Sequence, residues 1–234
     1  MINTFYLKKA FLLSLPVMGG YLVLGFAFGL LVVSSGIAWY FATIMSLFVF
    51  AGSGQFVLIG LLAQKAPYMS ILITIFLVNS RHIFYGLSFI DFFRSMGKRG
   101  YYMIFSLTDE TYAMLSLIGQ KPYSEEEKRE ISFSLSLLHQ IYWVTGSTLG
   151  ALFISFVPII TTGVEFSMTS LFVVILVEQL VNSKEYRVAI ISLLVAFTFH
   201  FIFVGTSFLL PSLFFMLLVI FYFYVVQERR SRGE

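Results

Sequence analysis

Six charged or imidazole side chains and one glycine-rich interruption lie inside otherwise apolar stretches, and these residues could do chemistry. They are Arg81, His82, Asp109, Glu110, His139 and His200, with the interruption at Gly52-Ser53-Gly54. A charged side chain at the centre of a bilayer costs roughly 2.5–3.5 kcal/mol even on a lenient insertion scale, so it usually faces a cavity and has a function. The pattern therefore predicts a membrane protein with a polar interior.

Composition supports this prediction. Hydrophobic residues make up 59% of the 234 residues, charged residues make up 12%, and the mean hydropathy is +0.90. Soluble domains carry about 25% charged residues, so the chain has the composition of a membrane protein. The absence of cysteine excludes a disulfide framework and thiolate chemistry. The net charge of +3 is spread over the edges of the apolar segments, which does not favour nucleic acid as a partner.

The apolar segments predict an all-α, polytopic membrane bundle that forms one domain over residues 1–234. The segments are 10–35, 38–64, 66–93, 101–119, 131–157, 165–183, 187–209 and 211–227. Because a crossing helix needs about 20 residues, six to eight of them can span or enter the membrane. We expect the second and fourth segments to be broken or re-entrant, and residues 120–130 to form a solvated loop.

Lys and Arg positions predict the orientation, because cytoplasmic loops are enriched in these residues. Whether segments 38–64 and 101–119 cross or re-enter, both termini fall on the cytoplasmic side. Re-entrance places more of the basic residues inside and so fits the rule better, although segment 38–64 is long enough to cross.

The interruption in the second segment has two interpretations. Broken helices at membrane depth build substrate and ion sites in transporters. Small residues also allow two helices to cross closely. The polar Gln55 after Gly54 favours a site.

A second polar group lies near the middle of the third segment, at Asn79-Ser80-Arg81-His82. Arg81 and Tyr85 are four residues apart and share a helix face. The Arg81 guanidinium needs an anionic partner, which is either a structural ion pair with Asp109 or Glu110 or the carboxylate of a substrate. The two can alternate, with the ion pair holding the empty state.

The third polar group is Thr108-Asp109-Glu110-Thr111. Adjacent carboxylates repel one another in a low dielectric, so one of them can bind and release a proton, as proton coupling requires. Alternatively, Thr108 is an N-cap and the two carboxylates lie in the first turn of a helix.

Other features favour structural roles over chemistry. They are the single residues His139, His200, Glu165 and Glu178, and the glycine pairs Gly25/Gly29 and Gly146/Gly150. The glycine pairs have the G-x-x-x-G spacing of helix seams. A serine hydrolase with Ser53 as nucleophile and His139 or His200 as base is a weaker alternative, because it leaves Arg81 and the acidic pair unused. A passive channel remains a further alternative.

These polar groups, in this order and spacing, resemble the AzlC-type family, the large subunit of branched-chain amino acid exporters. The matching stretches are 20–21, 25–29, 50–56, 79–86 and 108–113, and more weakly Trp143 with Gly146 and Gly150, and 163–166. Gly54, Ser80 and Val23 stand where the family more often has alanine, leucine and proline. The resemblance implies proton-coupled export of branched-chain amino acids, with methionine or analogues in range, from a bacterial inner membrane. It also implies a small AzlD-like membrane subunit and no ATP-binding half.

The site expected from these arguments has two parts. The substrate-binding residues are Gly52, Ser53, Gly54, Gln55, Asn79, Arg81, His82 and Tyr85. The proton-coupling residues are Asp109 and Glu110, supported by Thr108 and Thr111. We expect no catalytic residue, no metal ligand and no cofactor.

Overall fold

Helices make up the described part of the chain almost entirely. A computed structural model describes residues 4–157, residues 173, 177 and 180, residues 186–202 and parts of 211–222, and these contain no strand. The chain divides into two units, Met1–Ala66 with Val78–Val164 and Pro67–Leu77 with Glu165–Glu234. The expectations for Glu165, Glu178 and 163–166 lie outside the described residues.

The helices are numbered in chain order over the described residues. Their bounds are α1 Thr4–Ser34, α2 Tyr40–Phe48, α3 Ser53–Ala63, α4 Tyr68–Asn79, α5 Arg81–Ser88, α6 Ile90–Ser95, α7 Lys98–Phe105, α8 Asp109–Gln120, α9 Glu125–Phe156 and α10 Tyr186–Ile202. The all-α prediction therefore holds for the described residues.

Two helical stretches in the described residues are long and apolar enough to cross a membrane. They are Thr4–Ser34, with 31 residues, and Tyr68–Ser88, with 21 residues. The second stretch joins α4 to α5, because Ser80 keeps helical φ and ψ angles of −56° and −28°. The total number of crossings stays a prediction.

The second and fourth apolar segments are both interrupted, as expected. In 38–64 the helix stops after Phe48 and restarts at Ser53; Gly52 between them has φ +49° and ψ −112°. Glycine adopts this left-handed backbone without the clash that a Cβ would cause. In 101–119 the helix stops after Phe105 and restarts at Asp109. Whether either segment crosses or re-enters stays a prediction.

The expected loop at 120–130 is shorter than predicted, because α8 ends at Gln120 and α9 already begins at Glu125. Ser124 and Glu127 form a capping box in which each side chain accepts from the other residue's backbone N–H. Three glutamates in the first turn also complement the positive end of the helix dipole. The backbone N–H of Ser124, followed by the Lys9 ammonium, holds the pKa of Glu127 below its ordinary value of 4.5.

Helices α1 and α9 are in close contact along a glycine seam, which confirms the expected packing role of the glycine pairs. A Cβ on Gly29 would lie 2.0 Å from Ser147 O, and one on Gly150 would lie 2.0 Å from Phe26 O. Gly25 and Gly146 are similarly close to the opposite backbone, at 2.9 and 2.7 Å. Only glycine permits such contact between two helix backbones.

Apolar side chains hold the second helix break in place. One buried cluster joins α6, α7 and the start of α8: Phe93, Met96, Met103, Leu107 and Leu115. A second cluster joins α1, α8 and α9: Ala10, Ile118, Ile131 and Leu135. Because Leu107 lies within the break and is buried, the start of α8 has a fixed position.

In the other unit, α10 accounts for the first part of the expected segment 187–209. Its aromatic side chains contact one another: the Phe197 and Phe201 ring centroids are 4.8 Å apart. His200 lies on this helix, with its ring 5.6 Å from that of Phe201.

Candidate functional site

Arg81 connects the two helix breaks. Its Nη2 atom lies 3.0 Å from Ser53 Oγ, at the start of α3, and 2.7 Å from Asp109 Oδ2, at the start of α8. The ion pair that the sequence offered as one partner for Arg81 is therefore present. The Arg81 and Asp109 side chains are 32% and 37% exposed, so the described residues enclose the pair only in part.

The start of α3 lacks a side-chain cap, because its N-cap residue is Gly52. The backbone N–H groups of Gly54 and Gln55 instead bond to Ala51 O and Gly52 O, at 2.9 and 3.0 Å. Gln55 is fully buried, and its Oε1 atom accepts from Ala51 N at 3.3 Å. Its Nε2 atom, on the same carboxamide beside the break, has no partner among the described residues.

Asn79 lies directly on the start of α3. A Cβ on Gly54 would be 2.7 Å from Asn79 Nδ2, so the glycine leaves room for this carboxamide. The Asn79 Oδ1 atom and the Arg81 Nε atom are buried and have no partner among the described residues. Buried polar atoms of this kind are normally hydrogen-bonded, so the unpaired atoms indicate where a ligand or water binds.

Asp109 is held by two groups. Besides the Arg81 guanidinium, Tyr85 Oη donates to Asp109 Oδ1 at 2.8 Å, and the Tyr85 ring stacks on Tyr112 with centroids 4.5 Å apart. The predicted shared face of Arg81 and Tyr85 therefore brings both side chains to one carboxylate. This carboxylate has well-defined partners even without a ligand.

His82 faces a different region from the Arg81 cluster. Its Nδ1 atom lies 3.0 Å from Asn79 O, and its ring packs edge-on against Tyr85. It also lines an apolar groove of about 810 Å³ formed by α5, α6 and α7. Of the expected site residues, Ser53 and Asp109 bond to Arg81, and Tyr85 joins them through Asp109. His82 is turned toward the groove.

Glu110 belongs to a second polar network. Tyr21 Oη donates to Glu110 Oε2 at 2.7 Å and lies 2.5 Å from Thr108 Oγ1. Thr108 is the N-cap of α8 and accepts from Thr111 N at 3.3 Å, so the predicted helix start is confirmed. Thr111 Oγ1 continues the network to His139 Nδ1 at 2.9 Å.

Known proteins resemble this chain over the region that contains these two networks. The model of the family described as AzlC protein matches residues 16–157. The chain belongs to the AzlC family. The branched-chain amino acid transport protein AzlC of Bacillus subtilis is 34% identical, over 88% of this chain and 80% of that protein. An uncharacterized membrane protein of Helicobacter pylori is 38% identical, over 92% and 94%.

A more distant relative is the inner membrane protein YgaZ of Escherichia coli, 29% identical over 59% of this chain and 57% of that protein. No solved structure matches the chain. The part that matches the AzlC family model includes both helix breaks, Arg81 and His139.

Sequence reasoning missed one residue of the candidate site and undervalued another. Tyr21 is only 3% exposed, and its ring lies 5.5 Å from His139 and 5.6 Å from Trp143. Its signal is weak: a tyrosine after Gly19-Gly20 in a stretch without charged residues. His139 was expected to be a packing residue, but it is fully buried and bonds to Thr111.

The contacts of Ser53 do not favour the serine hydrolase alternative. A nucleophilic serine needs a base within hydrogen-bond distance. The described partner of Ser53 Oγ is Arg81, which is a donor, whereas His139 Nδ1 contacts Thr111. No three His, Asp or Glu side chains in the described stretches come together as metal ligands.

Proposed function

We propose that this AzlC-family chain is a secondary active exporter of branched-chain amino acids, coupled to protons, in a bacterial inner membrane. The Bacillus subtilis relative is named for branched-chain amino acid transport, and other relatives are named as membrane proteins. The proposal includes a multi-pass topology with cytoplasmic termini and a small AzlD-like membrane subunit. Methionine and similar apolar amino acids belong to the same substrate class.

The observation that carries the proposal is the position of Arg81 between the two breaks. Its guanidinium holds the Asp109 carboxylate at 2.7 Å, beside the uncapped start of α3. A substrate carboxylate offers the same chemistry as Asp109 and can replace it at Arg81. The N-terminal N–H groups of α3 add a partial positive charge that favours an anion.

The ammonium group and the side chain of an amino acid substrate also have suitable partners. Asp109, once released from Arg81, is an anionic partner for the substrate ammonium. The rings beside the first break are apolar: the Phe50 centroid lies 6.4 Å from that of Tyr21 and 6.5 Å from that of Phe105. A branched aliphatic side chain loses contact with water by packing against such rings.

Transport by purified protein in liposomes tests this proposal. We expect leucine, valine and isoleucine to exchange across the membrane and to accumulate against their gradient when a pH difference is imposed. Arg81→Gln should abolish both activities. Arg94→Gln is the matched control, because Arg94 is exposed and pairs only loosely with Asp91 at 3.8 Å.

Three results would separate the alternatives. Amino acid flux without accumulation against the gradient would indicate a passive channel. Normal transport in Arg81→Gln would remove the central role of the guanidinium. Retained amino acid exchange in Ser53→Ala would remove the serine hydrolase alternative. Separately, reconstitution with and without the small subunit shows whether that subunit is required.

A further inference from the structure

An unbroken series of hydrogen bonds runs from Glu110 into the interior of the protein. The distances are 2.7 Å from Glu110 Oε2 to Tyr21 Oη and 2.5 Å from Tyr21 Oη to Thr108 Oγ1. They are 3.0 Å from Thr108 Oγ1 to Thr111 Oγ1 and 2.9 Å from Thr111 Oγ1 to His139 Nδ1. Tyr21, Thr108, Thr111 and His139 are all buried, so bulk water does not compete for these bonds.

The direction of every bond follows from the number of protons available. Tyr21 Oη donates its single hydroxyl proton to Glu110 Oε2. Tyr21 must then accept from Thr108, and Thr108 must accept from Thr111. Because each hydroxyl has then used its proton, His139 must donate from Nδ1.

This assignment leaves His139 Nε2 as an unprotonated acceptor. The side chain is fully buried, and Nε2 has no partner among the described residues. A neutral imidazole whose second nitrogen is free can take up a proton on that side and release one on the other.

We propose that these five residues form a proton wire between His139 Nε2 and the Glu110 carboxylate, and that Glu110 rather than Asp109 carries the coupled proton. The proposal rests on the proposed transport function and assigns different roles to the two carboxylates. Asp109 is bound to Arg81 and Tyr85 and regulates access to the guanidinium. Glu110, the next residue in the sequence, is the last group of the wire.

The transfer is balanced in protons. A proton binds to His139 Nε2, and the Nδ1 proton moves to Thr111. Thr111 passes its own hydroxyl proton to Thr108, Thr108 passes one to Tyr21, and Tyr21 passes one to Glu110. One proton enters and one carboxylic acid forms, with no change in bonds between heavy atoms. The wire resets when the hydroxyls rotate and the His139 ring turns over, which places its protonated nitrogen beside Thr111 again.

The titratable and charged groups around the wire come from four helices of the described region. Tyr21 is on α1, Arg81 and Tyr85 are on α5, Asp109 and Glu110 are on α8, and His139 is on α9. Among the described residues, the Arg81 guanidinium bonds to Asp109 and Ser53 and to none of the hydroxyls of the wire. Neutralising Asp109 and breaking the wire are therefore separate perturbations.

Tyr21→Phe tests the wire by removing its central hydroxyl. Two rates are measured in liposomes: leucine exchange at equal pH, which needs no net proton movement, and leucine uptake driven by a pH difference. Loss of a positioned proton-transfer group should lower the ratio of driven uptake to exchange by about 100-fold. His139→Gln should lower it similarly. A pH-sensitive dye inside the vesicles should show loss of leucine-induced proton flux.

Tyr142→Phe is the matched control, because Tyr142 is also buried and its hydroxyl bonds to Ser14 Oγ at 3.0 Å, away from the wire. It should keep the wild-type ratio. If Tyr21→Phe does not fold, Thr111→Val and Thr111→Ser provide a second pair, since valine breaks the wire at constant shape and serine restores the hydroxyl. Thermal unfolding confirms that each variant is folded.

The outcomes distinguish this proposal from the transport function itself. An unchanged ratio in Tyr21→Phe, His139→Gln or Thr111→Val would overturn the wire. Wild-type exchange without any pH-driven uptake would also overturn it, although amino acid transport would stand. Absence of wild-type exchange with every branched-chain amino acid would instead overturn the proposed function.

Discussion

Replacement of Asp109 by asparagine should tighten amino acid binding and at the same time stop transport. In the structure, Asp109 Oδ2 occupies the guanidinium of Arg81 at 2.7 Å, so a substrate carboxylate must displace it. Asparagine keeps an oxygen for Tyr85 Oη but has no charge to compete with the ligand. The substrate carboxylate therefore binds the Arg81 guanidinium without competition from a charged side chain.

The size of the effect follows from the geometry of the pair. A hydrogen bond to a charged group contributes about 1.5–3 kcal/mol, whereas an exposed ion pair contributes about 0.2–1 kcal/mol. The Asp109 and Arg81 side chains are about one third exposed, so the strength of this pair lies between that of an enclosed charged hydrogen bond and that of an exposed ion pair. A value of about 1–2 kcal/mol predicts that the Kd for leucine falls by about 5–30-fold.

Calorimetric titration of leucine into detergent-purified protein measures this change. Asp91→Asn is a matched control, because Asp91 is an exposed carboxylate whose arginine partner is 3.8 Å away. Its Kd should equal the wild-type value. A Kd for folded Asp109→Asn that is unchanged or higher would refute competition between Asp109 and the substrate. Leucine efflux should be lost, because no carboxylate replaces the departing substrate at Arg81.

Three further substitutions test the packing, the break and the helix cap. Gly150→Ala should lower the melting temperature, because the new methyl group would lie 2.0 Å from a backbone oxygen of α1 and overpacking costs about 1–3 kcal/mol. Gly119→Ala, which meets no atom within 4 Å, should not lower it, and equal shifts would contradict the close contact. Gly52→Ala should destabilise the protein by about 1–2 kcal/mol because its φ of +49° is left-handed, and should impair leucine exchange; a normal melting temperature would show that the break tolerates a side chain. The lowered pKa of Glu127 stabilises the fold above its ordinary value of 4.5, and this contribution is lost as the pH falls below that value. Glu127→Gln should therefore lower the melting temperature at pH 7, and its melting temperature should fall less than that of the wild type between pH 7 and pH 3. Glu126→Gln is the control and should retain the wild-type dependence on pH.

Local features of the fold could be predicted because they depend on a few neighbouring residues. Gly52 marks the first break because only glycine accepts its φ angle without strain. Thr108 marks the second because its hydroxyl caps the first turn of α8. The pairing of Arg81 with Asp109 is one of two options that the sequence offers, since a guanidinium inside an apolar segment requires an anion.

Features that depend on distant residues could not be predicted. Tyr21 and Glu110 are 89 positions apart, and no local pattern indicates that they meet. The environment of His139 likewise depends on how α8 packs against α9. The start of α9 was misplaced for a different reason: a dense run of charges was interpreted as a solvated loop, although it forms the capped first turns of a long helix.

The glycine seam links the stability of the fold to the geometry of the site. Tyr21 lies one turn before Gly25 on α1, and Trp143 lies three residues before Gly146 on α9. Close contact at these glycines brings the Tyr21 ring within 5.6 Å of Trp143. With α1 farther away, the Tyr21 hydroxyl could not reach Thr108 and Glu110 together. The small residues that pack the two helices therefore also set the distances on which the proposed proton transfer to Glu110 depends.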